Sequence, residues 1–273
     1  MYEVSWMLRD EDLSYVVDVL MPGYREKKKI VQVLREDPAF LESMLLDDRL
    51  VRHLMGRNES IVGVSPMLLF TVLLYRVRKD LESTAFTVEQ TSRHQMVVFD
   101  TARVRELLGS PQMLTYLAAL LASFVKINSF TVLTQVRKGV WHKLRFSDFD
   151  IDSMIRYSNL LDREQRYQPY RRIADTCLFM LGVFPDHASP REVPTEDGYY
   201  RRLRSRGKRD REDYEKQGRY FYRAAAGLSG GVSNPSQELL LSLAENFSLA
   251  AKPLSYLSDR YLGFHRDRLF LNL

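Results

Sequence analysis

Cysteine is nearly absent from this chain: Cys177 is the single cysteine among 273 residues. One cysteine cannot form a disulfide within the chain, and it cannot supply a zinc cage of thiolates. None of the five histidines stands three or four residues from a carboxylate, as the di-iron sites of helical bundles require. We therefore expect no metal, no cofactor and a reducing cytoplasm, with Cys177 as a buried side chain rather than a reactive thiol.

Long hydrophobic runs are also absent. No stretch reaches the roughly 18 consecutive apolar residues that a transmembrane helix needs, and the nearest candidate, residues 113–125, is interrupted by Thr115 and Ser123. The opening sequence MYEVSWMLRDED lacks the basic start and the apolar stretch of a signal peptide. We expect a soluble protein with no membrane partner.

Sequence motifs of known catalytic and nucleotide-binding sites are missing. There is no His-Glu-x-x-His pair, and the single Gly-Lys pair, Gly207-Lys208, is followed by Arg209 rather than by the Ser or Thr of a phosphate-binding loop. The glycines of residues 227–231 lack the preceding strand of a dinucleotide-binding fold. Local motifs therefore give no support to an enzyme, although catalytic residues can be dispersed along a chain.

Three aspartates have the spacing of calcium ligands. Asp148, Asp150 and Asp152 match the first three positions of a calcium-binding loop, but Ser153 replaces its glycine and Asn159 replaces its bidentate glutamate. We interpret them instead as a loop aspartate, a helix cap and a first-turn charge.

Most of the chain has the apolar periodicity of helices. Residues 170–185, YRRIADTCLFMLGVFP, are apolar on nearly every face after Ile173, which predicts a helix at the centre of a core. The segment that follows Ser65-Pro66 predicts a second buried helix. Other helix starts are predicted at capping residues, namely Asp10, Asp37, Asp47, Asp100, Ser110 and Asp150. Toward the end, Asn234-Pro235 predicts the start of a final amphipathic helix that Pro253 separates from a short tail.

Some parts of the chain depart from helical periodicity. Around a Lys138-Gly139 turn, apolar residues alternate with polar ones, which predicts a β-hairpin near residues 130–146. Residues 84–99 fit either a short hairpin or an irregular crossing, and residues 186–198 predict a loop.

The fold predicted by these patterns is mainly α: a multi-helix, bundle-like globule with one small β-hairpin. We expect an N-terminal helical half over residues 1–127, a hairpin connector over residues 128–147 and a C-terminal helical half over residues 148–273. The two halves are expected to pack as one globule.

Positive charge is concentrated in one segment. Residues 199–223 contain ten Lys or Arg against four Asp or Glu, although the whole chain has a net charge of only +5. We predict a basic helix over residues 199–226 with a break at Gly207. Interleaved tyrosines and arginines are suited to phosphate groups and to base stacking. The candidate ligand-binding residues are Tyr199, Tyr200, Arg201, Arg202, Arg204, Arg206, Lys208, Arg209 and Arg211.

The basic segment also has a plainer interpretation. At helical spacing, its acidic and basic side chains can neutralise one another on a solvated surface, and its aromatic residues can face the core. Both interpretations stay open from the sequence.

One resemblance rests on four stretches of the sequence: the run RRIADTCLFMLGVFP, the later Tyr-Tyr pair, the GRYFY stretch that starts at Gly218 and the SPMLLFTVLLYRVRKDL stretch. These stretches resemble a loosely defined family of uncharacterised bacterial helical proteins. The resemblance implies a bacterial, cytoplasmic, mostly helical protein with no established activity. The arginine-dense insert between Tyr200 and Tyr214 departs from the shorter pattern of that family.

Three functions are compatible with the sequence. The first is a non-enzymatic, helical regulatory or interaction protein that binds a protein partner or itself. The alternative is binding of nucleic acid or another anionic ligand through the Arg-rich helix 199–223. The third is an enzyme whose dispersed site is not visible in the sequence.

Overall fold

The computed structural model describes residues 7–56, 64–83, 87–90, 95–98, 100–137, 140–188, 191–194, 200–203, 209–229, 236–263 and 265–270. The predicted mainly α fold is confirmed. In chain order the α-helices of these residues are α1 Asp10–Leu20, α2 Lys27–Glu36, α3 Pro38–Leu45, α4 Asp48–Met55, α5 Pro66–Ser83, α6 Thr101–Gly109, α7 Pro111–Ser123, α8 Ile151–Asn159, α9 Tyr167–Val183, α10 Arg211–Ala226, α11 Gln237–Glu245, α12 Phe247–Leu257 and α13 His265–Phe270.

The β-strands of the described residues lie between these helices and form two-stranded sheets. The strands are β1 Thr87–Gln90, β2 Gln95–Val98, β3 Ser129–Arg137, β4 Val140–Ser147, β5 Arg191–Pro194 and β6 Tyr200–Leu203, paired as β1–β2, β3–β4 and β5–β6. The predicted hairpin near residues 130–146 is therefore confirmed as β3–β4, while its Lys138-Gly139 turn lies outside the described residues. Residues 84–99, which the sequence left open, contain the paired strands β1 and β2.

The chain divides into two compact units. Unit 1 comprises residues 1–87, 98–125 and 256–272, and unit 2 comprises residues 88–97, 126–255 and 273. The predicted division at residues 127 and 147, with both halves in one globule, stays a prediction. Within the described ranges, every helix is too short or too polar to cross a lipid bilayer.

Unit 1 is organised around α5. Its residues from Leu68 to Tyr75 are all buried, as the sequence predicted for the segment after Ser65-Pro66. The Ser65 hydroxyl accepts a 3.0 Å hydrogen bond from the Leu68 backbone N–H and so caps the helix. Helices α3, α4, α6 and α7 pack against α5, and the Phe70 ring stacks on that of Phe270 at 5.7 Å between centroids.

Unit 2 is organised around α9, the predicted central helix. Every residue from Ile173 to Val183 except Met180 is buried in it. The helix begins at Tyr167, earlier than the predicted start at residue 170, and Pro169 lies in its first turn, where the missing N–H removes no intrahelical bond. Helix α9 packs mainly against α10, and also against α8.

Two glycines allow close helix packing in unit 2. A Cβ at Gly182 of α9 would lie 2.6 Å from the Leu254 Cβ, and a Cβ at Gly218 of α10 would lie 2.2 Å from the Phe247 ring. Only a residue without a side chain fits these approaches.

Helix α12, which carries Leu254, continues through Pro253, so the predicted break there is wrong. Proline costs one backbone hydrogen bond, and the buried packing of Leu254 against Gly182 holds the helix across it.

Some predicted helix caps are also wrong. Helix α1 begins at Asp10 after Arg9, and the capping carboxylate is that of Asp12, which accepts a 3.0 Å hydrogen bond from the Arg9 backbone N–H. Asp100 precedes α6 without a side-chain capping hydrogen bond. For the final helices, Ser236 caps α11, while the predicted Asn234-Pro235 start lies outside the described residues.

The caps at Asp37, Asp47, Ser110 and Asp150 are confirmed. Each side chain accepts a hydrogen bond from a backbone N–H in the first turn of the following helix. These caps are local in sequence, which is why the sequence alone predicts them.

The predicted basic helix over residues 199–226 is wrong in its first part. Residues Tyr200–Leu203 form β6, which pairs with β5 in a register that places Pro194 opposite Tyr200. The helix begins instead at Arg211, after a reciprocal cap: the Asp210 carboxylate accepts from the Asp213 N–H at 2.9 Å, and the Asp213 carboxylate accepts from the Asp210 N–H at 3.2 Å. This cap satisfies two backbone donors at once and defines the helix start. The predicted loop over residues 186–198 correspondingly contains β5, and the predicted break at Gly207 lies outside the described residues.

Candidate nucleic-acid interface

The predicted ligand-binding residues do not form one helical surface. Tyr200, Arg201 and Arg202 belong to strand β6, and Arg209 and Arg211 flank the start of α10. The remaining candidates, Tyr199, Arg204, Arg206 and Lys208, lie outside the described residues. These candidates therefore do not share one basic helix over residues 199–226, as the sequence predicted.

Arg209 is held by protein groups. Its Nη1 lies 3.2 Å from Oδ2 of Asp152, its Nη2 contacts Oδ1 of the same carboxylate, and its Nε donates to Gln217 Oε1 at 2.7 Å. The Arg209 side chain is only 17% exposed. The hydrogen bonds from Arg209 lower the pKa of Asp152, since they stabilise its charged form. Arg209 thus connects the start of α10 to α8 rather than facing solvent as a free ligand group.

Arg219 of α10 is engaged in the same way. Its Nη2 lies 2.7 Å from Glu215 Oε1, and its Nη1 donates to the backbone carbonyls of Ala244 and Glu245 at 2.8 and 2.7 Å. Those carbonyls belong to the last turn of α11, where a cation satisfies groups without intrahelical partners. Arg219 therefore has the ion pair at helical spacing of the plainer interpretation, whereas Arg209 is neutralised by Asp152, a residue outside the basic segment.

The three calcium-spaced aspartates serve three separate structural roles. Asp148 lies 3.3 Å from Arg172 Nη2 and accepts from the Asn128 backbone N–H at 3.0 Å. Asp150 caps α8, and Asp152 pairs with Arg209. Among the residues that the structure describes, no group of three His, Cys, Asp or Glu side chains could hold a metal ion.

A candidate site lies on the β3–β4 hairpin, which we call the arm. Its base is anchored to α8 by three aromatic rings: Tyr157 lies 4.8 Å from the Phe130 centroid and 5.3 Å from the Phe146 centroid. Beyond this base, every residue from Trp141 to Arg145 is exposed. The arm therefore projects into solvent from an aromatic anchor.

The strand register separates the two faces of the arm. Residues directly opposite each other in an antiparallel pair point to the same face, so the anchored face includes Phe130, opposite Phe146, and Val132, opposite Leu144. The other face, which we call the outer face, comprises Thr131 opposite Arg145, Leu133 opposite Lys143, and Trp141 at the next paired position. All five of these side chains are exposed, Leu133 and Trp141 both at 58%.

The outer face is positively charged without local compensation. From Leu107 to Ser147 the sequence contains no Asp or Glu, while Lys126, Arg137, Lys138, Lys143 and Arg145 are basic. Lys143 and Arg145 form no ion pair within the described ranges, in contrast to Arg209 and Arg219. Asp148, which follows the arm, is itself paired with Arg172. The arm thus presents two unneutralised cations next to an exposed indole.

Sequence reasoning missed this site because it ranked segments by the density of arginine. Two signals were present: the long interval without any acid, and a tryptophan at an alternating strand position next to cations. Comparison of the chain with protein-family models, with curated proteins and with solved structures found no match. No residue role can therefore be transferred from a relative, and the function must be argued from the geometry.

Proposed function

We propose that this protein binds nucleic acid through the outer face of the arm and acts by binding rather than by catalysis. The observation that carries the proposal is the combination of Lys143, Arg145 and Trp141 on one exposed strand face, in an arm that contains no acidic residue in its sequence. Phosphate contacts from Lys and Arg supply most of the affinity of nonspecific nucleic-acid binding.

The spacing of the cations suits a phosphate chain. Lys143 and Arg145 are two residues apart on β4, so they lie about 6.6 Å apart along the strand and point to the same face. Consecutive phosphates of one nucleic-acid strand can then each meet one cation. Arginine adds a planar donor pair for a phosphate, whereas lysine acts as a point charge.

Fluorescence anisotropy with labelled 20-nucleotide DNA and RNA, at salt concentrations from low to physiological, tests the proposal. The double variant Lys143→Gln/Arg145→Gln should bind more weakly, and its log–log salt slope should flatten by about 1.8 on duplex or about 1.4 on single strands, because two phosphate contacts are lost.

The matched control is Arg103→Gln/Arg105→Gln. These two arginines are also two residues apart and exposed, but they lie on α6 in unit 1. The control has the same net charge as the test variant and should bind like the wild type. Equal losses in both variants, or no binding by the wild type at low salt, would refute the proposal.

The Arg-rich segment 199–223 is the alternative location for the same kind of ligand. Two of its candidates, Arg201 and Arg202, lie on β6, and the variant Arg201→Gln/Arg202→Gln measures their share in the same assay. A flattened slope in this variant alone would move the proposed site from the arm to that segment.

A second candidate function is contact with a protein, including a second copy of this chain. It is favoured by Leu133 and Trp141, which are diagonal neighbours on the outer face and expose apolar surface. Sedimentation velocity of the wild type and of Leu133→Ser/Trp141→Ser measures self-association. A wild-type dimer that dissociates in Leu133→Ser/Trp141→Ser would support this function. If both proteins are monomers at every concentration, the chain does not self-associate and the partner would have to be a different protein.

A further inference from the structure

We infer that the arm selects single-stranded nucleic acid over duplex, because Trp141 stacks on an unpaired base while the neighbouring cations hold the backbone. This inference rests on the proposed function and names its substrate class. It depends on the position of one side chain relative to the charges rather than on the charges alone.

The first step is the exposure of the indole. Trp141 is 58% exposed on a described strand, and within the described residues its ring makes no ring–ring or cation–π contact. Tryptophan has the largest apolar side chain, and proteins usually bury most of it. An indole held by a β-ladder in solvent is a preformed platform, since its backbone is already ordered by the pair Gln135–Trp141.

The second step is the order of groups along β4. Trp141, Lys143 and Arg145 occupy alternate positions of one strand, so they follow one another on the same face over about 13 Å. Leu133 lies opposite Lys143 and extends the apolar surface beside the indole. A single strand can pass along this row with a base on Trp141 and its next phosphates at Lys143 and Arg145. Stacking of this kind tolerates any base, because every base has a π-face.

We expect duplex nucleic acid to bind the outer face less tightly than a single strand does. A two-stranded ribbon is narrow enough for the major groove of B-DNA, but the bases expose only their edges there. The indole would then lose its stacking partner, and only the cation contacts would remain. The preference for single strands should therefore disappear when the ring is removed.

Anionic membranes are the competing class of surface, since tryptophan and basic residues also favour a lipid interface. The outer face is poorly suited to entering one, because the exposed cations Lys143 and Arg145 lie among its apolar side chains. The outer face offers only two large apolar side chains, Leu133 and Trp141, for insertion.

The test compares a labelled oligothymidylate of 20 nucleotides with a closed duplex that has no unpaired ends. The wild type should bind the single strand more tightly. Trp141→Ala should weaken single-strand binding roughly 5- to 150-fold, as expected for one lost stacked base, and should change duplex binding less than about twofold. Trp141→Phe should retain most of the single-strand affinity.

Two controls separate stacking from general damage. Tyr24→Ala removes another exposed aromatic side chain, in unit 1, and should leave both affinities unchanged. Quenching of tryptophan fluorescence by oligothymidylate should be large in the wild type and largely lost in Trp141→Phe, which retains Trp6, although Trp141→Phe still binds.

The outcomes distinguish this inference from the proposed function. Suppose that Lys143→Gln/Arg145→Gln weakens binding, and that Trp141→Ala either weakens duplex and single-strand binding equally or changes neither affinity. The inference is then wrong and the proposed function stands. If neither nucleic acid binds, both are wrong. Cosedimentation with vesicles of phosphatidylcholine and phosphatidylserine that requires Trp141, in the absence of nucleic-acid binding, would assign the arm to membranes instead.

Discussion

The Tyr222 hydroxyl donates a 2.8 Å hydrogen bond to Oδ1 of Asp175, and both side chains are buried in unit 2. Asp175 belongs to α9 and Tyr222 to α10, so the bond joins the two helices that share the most extensive packing in the unit. A second group, Arg171 Nε, lies 3.9 Å from the other carboxylate oxygen. A buried carboxylate is costly unless hydrogen bonds and charges compensate it.

Tyr222→Phe should therefore destabilise the protein. The substitution keeps the ring but removes a donor from a buried carboxylate, which should lower the free energy of unfolding by about 1–3 kcal/mol. Urea denaturation followed by circular dichroism measures the change. Tyr220→Phe, which removes the hydroxyl of an exposed tyrosine in the same helix, is the control and should be neutral. Equal stabilities for wild type and Tyr222→Phe would show that the bond makes no net contribution.

Gly218→Ala should also be destabilising, for a steric reason. The added methyl group would meet the ring of Phe247 at 2.2 Å, and that ring is fully buried and cannot move aside into solvent. Overpacking of this kind costs about 1–3 kcal/mol, measurable as a lower midpoint in thermal denaturation. Gly109→Ala is the matched control, because a Cβ there meets no atom within 4 Å. A melting temperature of Gly218→Ala at or above the wild-type value would contradict the close approach of α10 and Phe247.

Cys177 should be unreactive in the folded protein. Burial raises the pKa of its thiol to about 12, since the charged thiolate is disfavoured away from water, and the side chain is fully buried in α9. Only the thiolate attacks thiol reagents. Ellman's reagent at pH 8 should modify one thiol rapidly in denaturant and hardly any in buffer. Rapid reaction of one equivalent without denaturant would show that this part of α9 opens readily.

The ion pair between Asp152 and Arg209 should make stability depend on pH in the acid range. Hydrogen bonds from Arg209 lower the folded-state pKa of Asp152 below the ordinary value of 3.8. A lowered pKa means that the carboxylate stabilises the fold above 3.8 and that this contribution is lost as the pH falls through the folded-state pKa.

Asp152→Asn should accordingly be less stable than the wild type near neutral pH and approach it below about pH 4. The gap should be below about 1 kcal/mol, because the Asp152 side chain is 64% exposed and solvent screens the pair. Urea titrations between pH 7 and pH 3 measure it, with Glu164→Gln as a variant that removes an exposed carboxylate without a partner role in this contact. A gap that widens on acidification would contradict the assigned sign.

The helices were predictable because their signals are local. The apolar runs of α5 and α9, and the capping residues Asp37 and Ser110, lie within a few positions of the elements that they define. The β3–β4 hairpin was predictable for the same reason, since period-two alternation and a Lys-Gly turn are contained in one short segment.

The errors arose where distant groups decide the structure. Strand β6 has only four residues, and it forms because β5 pairs with it, although its arginines and leucine are equally compatible with a helix. Pro253 predicts a helix end by local rules, but burial of the neighbouring Leu254 against Gly182 overrides them.

The candidate site could be predicted even less well. The density of arginine in residues 199–223 does not show that Arg209 pairs with Asp152, a residue 57 positions earlier. The exposure of Trp141 likewise depends on which face of the hairpin the Tyr157 ring covers. A sequence contains the charges of a site, but pairing partners in three dimensions determine which charges remain available to a ligand.

The open strand edges of the arm can lead separate molecules to associate. In the described residues β3 and β4 pair only with each other, so each leaves one outer edge of backbone N–H and C=O groups without a ladder partner, and such edges promote strand-to-strand aggregation. The register shift between Gln135 and Arg137 bends the ladder, and Lys143 and Arg145 would face like charges if two arms came together edge to edge. The same two cations that bind phosphate in our proposal thus keep arms apart, and Lys143→Gln/Arg145→Gln should aggregate at lower protein concentrations than the wild type.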